Sequence, residues 1–298
     1  MSARVWIWLL SLSVLWGGSF FFAKVATGAL GPLTVVFCRV ALAALALAAV
    51  GAAAGRPLWR STLPWPSFLV MGLLNNVVPF SLIFWAQLEI PSGLAAILNA
   101  TTPLFTLLVA HAATDDETID AGKLVALLVG LAGVAVLVGP AVLLGGAGLA
   151  GQVACLGAAL SYALAGVWGR RFQALGVVPL EAAAGQLVAS TVLILPIMLV
   201  AERPWTLPVP PLPVAGAVAG LALLSTALAY VLYFRILAAA GAMRLLLVTF
   251  LIPVTAILLG ALVLGERLEV RQFAGMALIG LALVTLGRPA GARPRPAK

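Results

Sequence analysis

Residues 66–88, PSFLVMGLLNNVVPFSLIFWAQL, run for 23 residues without a charged side chain, yet carry Asn75, Asn76 and Pro79 near their centre. About 20 apolar residues cross a hydrocarbon core as helix. Inside lipid every backbone N–H and C=O must be satisfied within the segment, which a helix does and an isolated strand does not. The run therefore reads as a transmembrane helix. Its asparagines are expensive in hydrocarbon and must face protein or a wet cavity.

The rest of the chain repeats this reading. Of 298 residues, 63% are hydrophobic and 9% charged, with a mean hydropathy of +1.18, whereas soluble domains are about 45–50% apolar and about 25% charged. A chain of this length cannot close around that much apolar surface, so the excess must face lipid. Apolar stretches bounded by Gly, Pro or charge fall at 5–26, 32–54, 66–88, 92–112, 121–139, 148–170, 179–201, 212–238, 243–264 and 270–287. The expected fold is all-α: a polytopic membrane protein of about ten transmembrane helices, forming one transmembrane domain over 1–298. The run Val5 to Ala23 is longer than the 7–15 residues of a signal-peptide core, so it counts as the first membrane helix.

The net charge of +8 does not point to nucleic acid, because the basic residues are scattered at segment ends instead of clustering on one face. With the N-terminus inside, twelve of them fall on the cytoplasmic side: Arg4, Arg56, Arg60, Lys123, Arg170, Arg171, Arg235, Arg244, Arg288, Arg293, Arg295 and Lys298. Lys24, Arg203, Arg267 and Arg271 fall on the other. The excess of loop cations marks the cytoplasm, so both termini of this multi-pass protein are expected there. Cys38 and Cys155 lie alone in apolar stretches and read as packing residues. No metal or cofactor is implied.

Carriers are often built from two related halves. Sliding the chain by 150 residues puts Phe84 on Phe234, Pro103 on Pro253, Leu108 on Leu258, Asp116 on Glu266 and Gly130 on Gly280. A slightly shorter offset matches the leading helices: Trp16 meets Tyr162, Lys24 meets Arg170, and Pro32 and Arg39 meet Pro179 and Gln186. The halves are 1–144 and 145–288, followed by a basic tail, 289–298. Five helices per half is an odd number, so the halves enter the membrane from opposite sides as two inverted five-helix repeats.

Leu15-Trp16-Gly17-Gly18-Ser19-Phe20, the Asn99 to Pro103 stretch, the Pro253 helix ending in Gly265-Glu266-Arg267-Leu268, and the glycine-spaced last helix together resemble the drug/metabolite transporter superfamily, in particular the EamA-type ten-helix exporters. Asp115-Asp116-Glu117 departs from the single-glutamate pattern at the end of helix four. The resemblance implies a two-repeat carrier exporting amino acids or similar metabolites from bacteria, with a small-molecule substrate and the lipid bilayer as partners and the chain acting as a monomer.

In such carriers the substrate sits near the midplane, where the halves meet and helices are interrupted. Helix three offers Asn75, Asn76 and Pro79, with Phe80 and Phe84 on one face. The offset places Ser225, Thr226, Tyr230 and Tyr233 of helix eight opposite Asn75, Asn76, Phe80 and Ile83. Helices four and nine add Asn99, Thr102, Pro103, Thr249 and Pro253. Trp16, Phe20, Tyr162 and Trp168 supply aromatic surface, and Gln186 is the repeat partner of Arg39. The polar residues can equally be interhelical glue, and Trp168 can be an interfacial belt residue, as Trp6, Trp8, Trp59, Trp65 and Trp205 are expected to be. Arg39, seven residues past Pro32, is the one charge well inside a span. It either holds a substrate carboxylate or clamps helix ends. Lys24 is expected to snorkel as an anchor.

No Asp, Glu or His lies deep in any segment, which points to uniport or exchange without a deep proton carrier. The cluster Asp115, Asp116, Glu117 and Asp120 superficially suits a prenyltransferase binding Mg²⁺ and diphosphate, but that chemistry needs a second, facing cluster. A non-transporting structural membrane protein is the third reading. Phosphate-binding loops, nucleophile elbows and zinc spacings are missing from the sequence. Aromatics, amides and one guanidinium suit an aromatic or large neutral amino acid, the substrate expected here, and they also suit purines and many drugs; the expected transport mode is alternating access.

Overall fold

A computed structural model describes residues 3–53, 55, 64–113, 121–138, 148–240 and 247–286. Among the described residues every regular element is helical. The membrane helices are α1 (Ala3–Ala26), α2 (Pro32–Ala53), α3 (Trp65–Glu89), α4 (Ser92–Ala113), α5 (Ala121–Val138), α6 (Leu149–Ala174), α7 (Pro179–Glu202), α8 (212–240), α9 (Leu247–Leu264) and α10 (Val270–Leu286). Seven of these contain stretches long and apolar enough to span a membrane unaided, and α5, α9 and α10 supply shorter apolar helices. Outward-facing side chains such as Leu45, Val192, Leu262 and Phe273 stay exposed on the helix surfaces. The buried faces are rich in small residues, with Ala43, Ala158, Ala183 and Ala184 fully enclosed, as helices need in order to approach closely in lipid.

Proline marks several starts, where its missing N–H costs nothing: Pro32 opens α2 and Pro179 opens α7. α4 is interrupted at Ala100 and Thr101, between Ser92–Asn99 and Thr102–Ala113. Two helices widen into π geometry, α3 over Leu73–Val77 and α8 over Gly220–Leu228. Shifted by 150 residues, the first of these stretches falls inside the second. The two distortions are therefore one feature of the repeat.

The packing obeys an exchange of halves. α2 packs on α7, α4 on α9 and α5 on α10, each helix on its own repeat partner. The remaining extensive contacts come as mirror pairs: α1 on α9 with α6 on α4, α2 on α8 with α7 on α3, and α3 on α6 with α8 on α1. The inversion is visible at helix ends. Glu202, the last residue of α7, accepts hydrogen bonds from the backbone N–H groups of Leu33 and Thr34 at the start of α2, at 2.8 and 2.7 Å. Glu266, just past α9, accepts from the Ser92 N–H at 2.9 Å and the Ser92 hydroxyl at 2.7 Å, at the start of α4. A helix whose C-terminal end meets the N-terminal end of its own repeat partner runs antiparallel to it.

These carboxylates do what a helix start requires, supplying acceptors and negative charge to unpaired N–H groups. Glu89, ending α3, likewise accepts from the Gly151 N–H of α6 at 3.1 Å. All three carboxylates join one half to the other at the face at which α1 ends. Lys24 serves the opposite polarity: its ammonium donates to the Gln87 and Ile90 carbonyls at the end of α3. It closes a helix C-terminus, where the sequence pointed to a snorkelling anchor.

Candidate functional site

The deepest polar groups gather where α2, α3, α7 and α8 meet. Arg39 is 5% exposed. Its Nε donates to the Thr226 hydroxyl at 2.9 Å and its Nη1 to the Ser19 hydroxyl at 3.5 Å. Its Cζ lies 3.7 Å from the centroid of the Phe80 ring and 5.7 Å from that of Phe84. Those two rings, one helical turn apart, are stacked at 6.1 Å with 9° between their planes, and form a flat wall. Among the described residues no carboxylate pairs with the guanidinium. A desolvated cation is costly; here hydroxyls and the electron-rich ring faces offset part of the cost.

A second cluster lies about one turn earlier on α3 and one turn later on α8. The Asn75 side-chain amide donates to Gln186 Oε1 at 2.9 Å and to the Tyr230 hydroxyl at 3.4 Å. The Asn76 amide donates to the Ser190 hydroxyl at 3.0 Å and reaches Gln186 Oε1 at 3.5 Å. Tyr230 returns a hydrogen bond to Asn76 Oδ1 at 3.5 Å. The π turn makes this possible, because a widened turn releases carbonyls from the helical ladder. The Leu74 carbonyl accepts from the Ser161 hydroxyl of α6 at 2.7 Å, and the Gly72 carbonyl from Ser190 of α7 at 3.2 Å. Gly72 also permits the close approach: a Cβ there would sit 2.8 Å from the Gln186 carbonyl oxygen.

The two clusters are images of each other. Arg39 of α2 meets Thr226 in the π stretch of α8, and Gln186 of α7 meets Asn76 in the π stretch of α3. Four residues, about 6 Å of helix, separate Asn76 from Phe80 and Thr226 from Tyr230. The result is a polar ladder at the seam of the halves, cationic at one level and neutral at the next.

The other expected residues distribute around it. Trp16 stands 5.8 Å from Tyr233, ring to ring. Phe20 is buried and its carbonyl accepts from the Gln87 amide at 2.9 Å. Tyr162 packs against the hydrophobic core, and Tyr230 joins Asn75 and Asn76 as described above. Pro79 is buried beside Phe80. Asn99 and Thr102 flank the break in α4: Thr102 caps the Asn99 carbonyl at 2.7 Å, and Asn99 Oδ1 is buried with no partner among the described residues. Trp168 stands apart, donating to the Ser67 carbonyl at 3.3 Å with the Arg171 guanidinium 3.7 Å above its ring. Thr249 lies on α9, but its side chain is outside the described residues, as are Asp115, Asp116, Glu117 and Asp120. Sequence reasoning missed Ser190 and Ser19. Only the helical position of Ser190, four residues after Gln186, signalled it.

Helices threaded in opposite senses by two related halves, with buried polar groups at broken helices along their seam, define a membrane transporter fold. The sequence matches the EamA-like transporter family over residues 4–139 and again over 149–288, and the chain belongs to that family. It is 30% identical over 287 residues to the uncharacterized inner membrane transporter YedA of Escherichia coli K12, covering 94% of this chain and 90% of that one. It is also 30% identical over 232 residues to Protein PecM of Dickeya dadantii, covering 76% of this chain and 73% of that one. A crystal structure at 22% identity superposes with a TM-score of 0.66 over 96% of this chain and 98% of the other, which shows the shared fold.

Proposed function

We propose that this transporter carries amino acids, aromatic or large neutral ones, outward by alternating access through the seam between residues 1–144 and 145–288. The observation that carries the reading is Arg39: a buried guanidinium with no carboxylate partner among the described residues, lying against the Phe80 and Phe84 wall. A free carboxylate would find its charge partner there and a flat side chain its stacking surface. The neighbouring amides of Asn75, Asn76 and Gln186 and the Tyr230 hydroxyl suit an ammonium group or a polar side chain.

The chain works as a monomer with both termini in the cytoplasm. The face carrying Glu89, Glu202 and Glu266 is then the outer one, and their bonds across the halves close it. Opening to that side requires these bonds to break while the packing of α3 on α7 and of α8 on α2 persists as the pivot. Counterflow of labelled phenylalanine, leucine and tryptophan into preloaded proteoliposomes tests the reading. Accumulation above that of empty liposomes is expected for at least one of them, and none for any of them contradicts it.

A further inference from the structure

The mirror relation between the two polar clusters exposes a gap in one of them. In the neutral cluster, adjacent residues of the π stretch, Asn75 and Asn76, both reach the residue opposite them on α7, Gln186, at 2.9 and 3.5 Å. In the cationic cluster the equivalent neighbours are Ser225 and Thr226, and the residue opposite them on α2 is Arg39. Thr226 is bonded to the guanidinium at 2.9 Å. Ser225 is not: its hydroxyl is buried, in a residue 1% exposed, and has no hydrogen-bond partner among the described residues. A serine side chain is shorter than that of asparagine, and among the described residues no hydrogen bond joins Ser225 to Arg39.

We propose that Arg39 and Ser225 together form a carboxylate receptor, and that an anionic head group is the feature this transporter requires of its substrate. The proposal rests on reading the seam as the substrate site. Arginine has five N–H donors in a planar fork, of which only Nε and Nη1 are engaged among the described residues. A carboxylate placed against the remaining donors accepts a charge-assisted pair from the guanidinium and a third hydrogen bond from Ser225. It thereby satisfies both the uncompensated cation and the orphaned hydroxyl. A buried cation and a buried hydroxyl each cost free energy until they are partnered, and one carboxylate partners both. The Phe80 ring lies against the guanidinium, its centroid 3.7 Å from Cζ. By the same charge, a ligand whose only charge is an ammonium group is repelled.

Calorimetry on the purified full-length protein with four probes of one shape tests this: L-phenylalanine, 3-phenylpropionate, L-phenylalaninamide and 2-phenylethylamine. The first two are expected to bind and the last two to bind at least tenfold more weakly. Ser225→Ala, which removes one hydroxyl and keeps the volume nearly constant, is expected to weaken both carboxylates by about tenfold, the worth of a hydrogen bond to a charged group. Equal binding of the amide or the amine, failure of both carboxylates to bind, or undiminished carboxylate binding to Ser225→Ala would each overturn the proposal. Binding of 3-phenylpropionate without counterflow of any amino acid would instead sink the amino-acid reading and leave the receptor standing.

Discussion

Arg39 and Gln186 stand at the same place in the two halves, each seven residues past the proline that opens its helix, and each reaches the π stretch of the opposite half. One is a cation and the other a neutral amide. The helical scaffold is thus repeated between the halves, while the charge carried at this level is not.

Removing the charge of Arg39 separates its two possible roles. A buried unpaired cation is not a stabilising device, and replacing one by an apolar residue of similar length is commonly neutral or favourable. Arg39→Met is expected to leave the thermal midpoint in detergent unchanged or raised while abolishing counterflow. A large fall in the midpoint with counterflow retained would identify Arg39 as a structural clamp.

Asn76 is fully enclosed and bonded to Ser190 on α7 and to Tyr230 on α8. Asn76→Leu leaves the Tyr230 hydroxyl without that acceptor and loses the tie to α7. The expected cost is about 1–3 kcal/mol, read as a lower midpoint, together with at least a tenfold loss of counterflow. Gly72→Ala tests the same contact through sterics alone. Its methyl would meet the Gln186 carbonyl oxygen and the Ser190 hydroxyl, both at 2.8 Å, and α3 and α7 must part.

The neighbouring acids Glu266 and Glu269 make opposite predictions. Glu266 caps α4, whereas Glu269 is exposed and paired with Arg271, whose hydrogen bond holds its carboxyl below the usual carboxylate range. Glu266→Gln removes the charge at a helix start and is expected to cost about 1 kcal/mol. Glu269→Gln is expected to leave the melting curve unchanged, because exposed ion pairs contribute little. Equal effects would mean that the cap does not hold the halves together.

Orientation is tested by reporters that fluoresce only in the cytoplasm. Fusions at either terminus are expected to be bright, and a small epitope inserted near Pro204–Thr206, between α7 and α8, is expected to be reached by antibody from outside. Termini on different faces would contradict an even number of crossings.

The ten helices were legible because lipid exposure forces a signal that propensity alone never gives: long uncharged runs between short polar connections. The repeat offset brought Arg39, Asn76, Gln186 and Thr226 into correspondence before any geometry was known. The π stretches were not legible, since a single widened turn leaves the apolar pattern of Leu73–Val77 unaltered. Nor were the partners of Lys24, Glu202 and Glu266, because a charge at a span end looks the same whether it anchors to water or closes another helix. Trp168 illustrates the converse: an aromatic residue at a repeat-related height need not face the seam.

Access to the seam from both sides of the membrane is the central claim, and one residue reports on it directly. Ser19 lies 3.5 Å from the Arg39 guanidinium and is small enough to become cysteine once Cys38 and Cys155 are replaced by serine and alanine. In sealed vesicles, a membrane-impermeant thiol reagent is expected to label Ser19→Cys when supplied from either side, and phenylalanine is expected to slow both reactions. Labelling from one side only, or at rates indifferent to substrate, would contradict a site at the seam that opens to each face in turn.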